Sequence, residues 1–96
     1  MKYVRQKLEK MKNRDRMIEA ALDVWEAKGE LAVNAQSVGE IVGCSRQNVH
    51  KVFKSMGILR HEAAKRAVET NRIGVILQMQ AARHALAPKI QSGKLL

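Results

Sequence analysis

Apolar residues recur at helical spacing through most of the chain, and they divide it into four expected helices. Ile18, Ala21, Leu22 and Trp25 form one stripe, which predicts a helix from Arg14 or Asp15 to Lys28, closed by Gly29. The stripe extends back through Met11, Leu8 and Val4, with Asp15 as a polar interruption. Residues 1–15 are therefore either a continuation of this helix or a separate basic arm. Glu30 to Asn34 makes a short connection, with Leu31 and Val33 as expected core anchors. Val38 and Val42, one turn apart, predict a helix over Ala35–Val42. Val49, Val52, Phe53 and Met56 predict another over Arg46–Met56, stopped by Gly57.

The junction of these two short helices carries the most local information. Gly39 sits between the two inward valines, where a larger side chain would meet the crossing segment. Gly43 suits a left-handed helix end, Cys44 a small buried gap, and Ser45 an N-cap. In this order the residues meet the requirements of a helix-turn-helix, within a core expected over residues 16–57.

A last helix is expected from Leu59 or His61 to Ala87, where Pro88 ends it, in a segment covering residues 58–88. Its first half is amphipathic, with Ala63, Ala64, Ala67 and Val68 inward and Lys65, Arg66 and Glu69 outward. In its second half Ile73, Val75, Ile76, Leu77 and Met79 surround the helix, and Gly74 permits close approach. A helix apolar on all sides needs cover on all sides, so these five residues are the expected homodimer interface. Residues 89–96 read as a flexible tail.

Composition narrows this to an all-α fold: a small three-helix core plus a long C-terminal helix. Ninety-six residues suffice for one domain, and only Tyr3, Trp25 and Phe53 are aromatic. Cys44 is the only cysteine and reads as a core thiol in a reducing compartment. No apolar run approaches the ~20 residues of a membrane span, and the N-terminus has no apolar leader core. A cytoplasmic, nucleoid-associated location without membrane contact is expected.

The net charge of +9 is unevenly placed. Residues 1–16 carry +5, 17–45 carry −4, 46–66 carry +5 and 67–96 carry +3. Two basic ends around an acidic middle point to one face that meets a polyanion. With Val49, Val52 and Phe53 inward, Gln47, His50, Lys51 and Lys54 face outward, Asn48 lies at their margin and Arg46 in the exposed first turn. Amide and cationic side chains of this kind match the hydrogen-bonding edges of bases in the major groove. Arg46, Gln47, Asn48, His50 and Lys51 are therefore the candidate base-reading residues. Gln36, Ser37 and Lys54 are candidate phosphate contacts, and Lys2, Arg5, Lys7, Lys10, Lys12 and Arg14 accessory DNA contacts.

Other chemistry is not indicated. The sequence has no Gly-rich phosphate loop, no nucleophile with a base and no credible carboxylate pair. His50, His61 and His84 are too dispersed to read as metal ligands. The expectation is a protein that is not an enzyme and takes no cofactor or metal.

The pattern Ile18-x-x-Ala21-Leu22-x-x-Trp25-x-x-x-Gly29, then Val38-Gly39, Gly43-Cys44-Ser45 and Phe53, resembles the DNA-binding region of the tetracycline-repressor family of bacterial transcription regulators. The resemblance covers residues 16–59 and has the same ungapped spacing from Gly29 to Gly43. It departs where the family usually has a tyrosine (His50), a lysine (Met56) and a threonine (Asn34). It implies a DNA-binding regulator, here without the family's ligand-binding domain and its small-molecule effector pocket. Residues and resemblance together predict a homodimeric repressor that reads an inverted repeat in double-stranded DNA through helix 46–56. Two alternatives remain open at this level: a DNA-binding recruiting or architectural factor, and a protein-interaction adaptor in which the helix pair is structural.

Overall fold

The computed structural model describes residues 12–87. Within them the chain is all-helical. Helix α1 spans Asn13–Lys28, and a 3-10 turn spans Glu30–Ala32. Then follow α2 (Ala35–Val42), α3 (Arg46–Val52), α4 (Met56–Glu69) and α5 (Ile73–Ala81). No described helix is long and apolar enough to cross a membrane.

Helix α1 is the centre. Met17, Ile18, Ala20, Ala21, Leu22, Val24 and Trp25 are all buried, a wider arc than the sequence stripe. The extra width follows from its neighbours, since α2, α3, α4 and α5 all pack against it. Each large side chain so buried contributes roughly 1.5–3 kcal/mol. At the end of α1, Gly29 takes φ 96° and its N–H donates to the Trp25 carbonyl.

Around α2, Gly39, Gly43 and Ser45 take the local roles expected of them, Cys44 is only partly buried, and a cap at the start of the helix joins Asn34 to Ser37. Asn34 Oδ1 accepts from the Ser37 N–H at 2.8 Å, while Ser37 Oγ accepts from the Asn34 N–H at 3.1 Å. Gly43 closes α2 in the left-handed region (φ 85°, ψ 35°). Both its N–H and that of Cys44 donate to the Gly39 carbonyl. Ser45 Oγ accepts from the Asn48 N–H and starts α3. A Cβ on Gly39 would lie 2.6 Å from the Cys44 carbonyl oxygen, so the turn backbone is what forbids a larger residue.

Three expectations change. First, α3 ends at Val52 instead of Met56. Ser55 Oγ accepts from the Ile58 N–H and opens a new helix, so Gly57 lies inside the first turn of α4 and stops nothing. Val49 and Phe53 are buried, but Val52 turns off their face and is 37% exposed. Second, Leu31 is 87% exposed and only Val33 anchors the connection. On α4, Val68 is likewise exposed, although Ala63, Ala64 and Ala67 are buried as expected.

Third, the long helix over 58–88 is broken at Thr70–Arg72. The Arg72 N–H donates to the Ala67 carbonyl at 2.8 Å, and Asn71 takes φ 56°. Asparagine tolerates the left-handed region better than most residues, so it can terminate a helix that periodicity would continue. The chain then turns back and lays α5 against α1 and α4. Val75, Ile76 and Met79, expected at a dimer interface, are instead buried in the chain's own core. Ile73 and Leu77 stay exposed. Residues 82–87 form turns, with the partly buried Leu86 and Ala87 on the core.

Two arginines hold this return. Asp15, Glu19, Asp23 and Glu26 stand at intervals of four, four and three along one edge of α1. Arg66 of α4 donates to Asp15 at 2.8 Å and Glu19 at 3.2 Å. Arg72, at the break, donates to Asp23 and Glu26, both at 2.7 Å. Gly74 lets α5 come close to Glu26; a Cβ there would lie 2.7 Å from its carboxylate.

Gly39→Ala is expected to destabilise the protein by about 1–3 kcal/mol, through forced displacement of the turn. Gly57→Ala, whose Cβ would lie no closer than 3.6 Å to its nearest neighbour, is expected to be neutral or stabilising by up to about 1 kcal/mol. Urea unfolding of both variants checks the contrast.

Candidate functional site

Because Val49 and Phe53 are buried, the rest of α3 is turned outward. Arg46, Gln47, Asn48, His50 and Lys51 are all exposed, as is Lys54 just beyond the helix. None of these six side chains has a hydrogen bond or ion pair among the described residues. The helix is short and held by one cap and two buried residues, so its polar side chains are presented without being spent on the fold.

Elsewhere, Arg14, Arg16 and Arg60 are committed within the fold, while Arg83 is exposed. Arg14 donates to Glu62 at 3.0 Å and lies over the Phe53 ring at 5.3 Å from its centroid. Arg14, half-exposed, thus ties the start of α1 to α4 and to Phe53. Arg16 donates to the Val42 carbonyl at 3.2 Å, at the open end of α2. Arg60 donates twice to the Val33 carbonyl, at 2.7 and 3.2 Å, and so fixes the connection before α2. The partners of Arg16 and Arg60 lie 26 and 27 residues away in sequence, so no local pattern marks these roles.

At the start of α2 the Ser37 hydroxyl donates to the Ala32 carbonyl at 2.8 Å and completes the cap with Asn34. The exposed Gln36 amide donates to Glu40 at 3.3 Å. What α2 still offers at its first turn is main-chain N–H, the general property of a helix start. Asn34, Ala35 and Gln36 line an open concavity of about 300 Å³ together with Arg46, His50 and Met56. The structure thus brings Gln36 beside Arg46 and His50. Lys12 is exposed just before α1, whereas Lys2, Arg5, Lys7 and Lys10 lie outside the described residues.

The charge pattern is redistributed by these pairings. The acidic edge of α1 is largely occupied by Arg66 and Arg72, so the negative middle of the sequence is not a free negative face. Arg66 has its pKa raised, chiefly by the Asp15 bond and against the effect of burial. For Arg72, burial opposes the charge, and the bonds to Asp23 and Glu26 more than offset it. The Arg66 bond holds the Asp15 carboxyl below its ordinary value, and the Arg14 bond does the same for Glu62. Between Arg46 and Lys54 there are three cations, one histidine and no carboxylate.

His84 is a further residue with a role the sequence did not signal. Its ring stands 5.7 Å from that of Trp25, its Nδ1 accepts from the Leu86 N–H, and Nε2 lies 3.6 Å from Glu30. It secures the last described turn against the 3-10 segment.

These residues belong to a chain that is all-helical in its described part and whose third helix carries an exposed basic and amide-rich face. No family model, curated protein or solved structure matches it.

Two predictions follow from the division between spent and unspent side chains. Arg60→Ala is expected to cost about 1–3 kcal/mol of stability, as hydrogen bonds to a charged group are lost. Lys51→Ala and Gln47→Ala should stay within about 0.5 kcal/mol of the parent; thermal melts of the three variants decide it. The depressed carboxyls of Asp15 and Glu62 favour the folded state above their unfolded values near pH 4, and that stabilisation is lost as pH falls through the lower folded values. Asp15→Asn should therefore flatten the dependence of unfolding free energy on pH as pH falls below about 4, measured by urea titration.

Proposed function

We propose that this chain binds double-stranded DNA as a transcription regulator, with α3 in the major groove and α2–turn–α3 acting as a helix-turn-helix. The observation that carries this reading is the contrast on α3. Arg46, Gln47, Asn48, His50 and Lys51 are exposed and unpartnered among the described residues. Arg14, Arg16, Arg60, Arg66 and Arg72, by contrast, each hold an internal partner. Arg and Lys can bond guanine O6 and N7, and Gln and Asn can bond adenine N6 and N7. A short helix whose first turns carry these groups is how helix-turn-helix proteins read bases.

The concavity between α2 and α3 supports the orientation. Arg46 and His50 on one side and the start of α2 on the other would straddle a phosphate beside the groove. Lys54 would lie further along the same backbone. The resemblance to the tetracycline-repressor DNA-binding region, over residues 16–59, favours the same placement. A repressor reading an inverted repeat would use two copies, with recognition helices about 34 Å apart.

Selection of duplexes from a random pool is the direct test. Recovery of a defined motif is expected, with affinity falling steeply as salt rises. Gln47→Ala should relax preference at one position by about 1–3 kcal/mol. Lys51→Ala should lower the logarithmic salt slope by about one if it meets phosphate, or relax sequence preference if it meets a base. Equal, salt-insensitive affinity for all duplexes would reject the reading. Selection of clustered direct repeats would favour a recruiting factor over a repressor.

A further inference from the structure

Helix α5, Ile73–Ala81, has no charged residue, alone among the described helices of a chain that is 28% charged. Its inner side is Val75, Ile76 and Met79, buried in the core. Its outer side is also apolar: Ile73 is 52% and Leu77 59% exposed, and the exposed Ala81 follows one turn later. Spaced by four residues, the three side chains form one line about 12 Å long on the solvent side. Nothing in the chain's own described fold covers it. Apolar side chains free of charge are the composition of an interface centre.

We propose that this stripe pairs with the same stripe of a second copy, and that the pairing occurs only when both copies are bound to DNA. The second clause rests on the DNA-binding reading above.

The occupant follows from charge and symmetry. Around a twofold axis the same patch meets itself, so it must be its own complement. An uncharged line of Ile73, Leu77 and Ala81 meets that condition. Antiparallel pairing sets Leu77 against the partner's Leu77 and Ile73 against the partner's Ala81. Helix α5 packs on α1 and α4, whereas α3 packs on α1 and α2, so a copy seated on the stripe uses an element other than the one proposed to read bases.

The condition follows from size and charge. Three side chains on each side bury on the order of a few hundred Å², well short of the roughly 1,600 Å² of a standard stable interface. Each copy also carries +9, which opposes the approach of a second one in free solution. Duplex phosphates neutralise that charge, and two adjacent half-sites hold the copies at high effective concentration. A contact too weak to persist alone then becomes cooperative binding.

The test uses the full chain and duplexes carrying the selected half-site once, or twice as an inverted repeat. Sedimentation without DNA is expected to give a monomer at about 10 µM. The second copy should bind the two-site duplex about tenfold or more tighter than one copy binds the one-site duplex. Leu77→Glu, a change at an exposed position, should keep the melting temperature and the one-site affinity while removing the cooperativity. An equimolar mixture of Leu77→Glu and Leu77→Lys should restore it, since the two charges would meet across the axis.

A stable dimer without DNA would overturn the DNA-dependent clause, and cooperativity unchanged by Leu77→Glu would overturn the stripe. Full one-site binding without cooperativity in the parent chain would sink the pairing and leave the DNA reading intact. Failure to bind even the one-site duplex would remove both.

Discussion

Helix α1 has to satisfy two demands at once, and the fold depends on their being met on different sides of one cylinder. Its apolar arc buries seven residues beneath α2, α4 and α5, while its acidic edge accepts the guanidinium groups of Arg66 and Arg72. Apolar burial supplies most of the stabilisation, since it scales with the area removed from water. The ion pairs are half-exposed and contribute little each. Their geometry nonetheless specifies direction. Arg66 aligns α4 along the first half of α1, and Arg72 holds the turn that sends α5 back along the second.

That arrangement determines which cations remain available. Arginines that reach α1, or the open carbonyls of Val33 and Val42, are committed to holding the helices together. Those on α3 are too far from any carboxylate in the described fold to be used this way. The proposed DNA surface is thus a residue of the folding problem as much as a designed patch: on α3 basic and amide side chains with no internal work stand together on one helix. The same reasoning separates the two sides of α5. One side completes the core over α1, and the other has no charge with which to meet water or DNA.

The sequence by itself determined the local features, because their causes are local. The left-handed Gly43, the Ser45 cap and the small Gly39 are each set by contacts within a turn or two, and helical spacing marks Val38, Val49 and Phe53 as an inward face. The all-helical content and the stripe Ile18, Ala21, Leu22 and Trp25 follow from periodicity for the same reason. The exposed set on α3 was legible as well, once Val49 and Phe53 were placed inward.

Only the tertiary structure decided where residues 70–87 go and which polar groups are spent. Thr70–Arg72 has no proline or glycine to stop a helix, so the break there depends on Asn71 and on what the returning segment gains: burial of Val75, Ile76 and Met79, and the Arg72 bonds to α1. Those partners are 46 and 49 residues away in sequence, beyond any local pattern. The same distance hides the internal partners of Arg14, Arg60 and His84. A helix surface can be read from spacing, but which of its charges are already answered depends on what the rest of the chain brings against it.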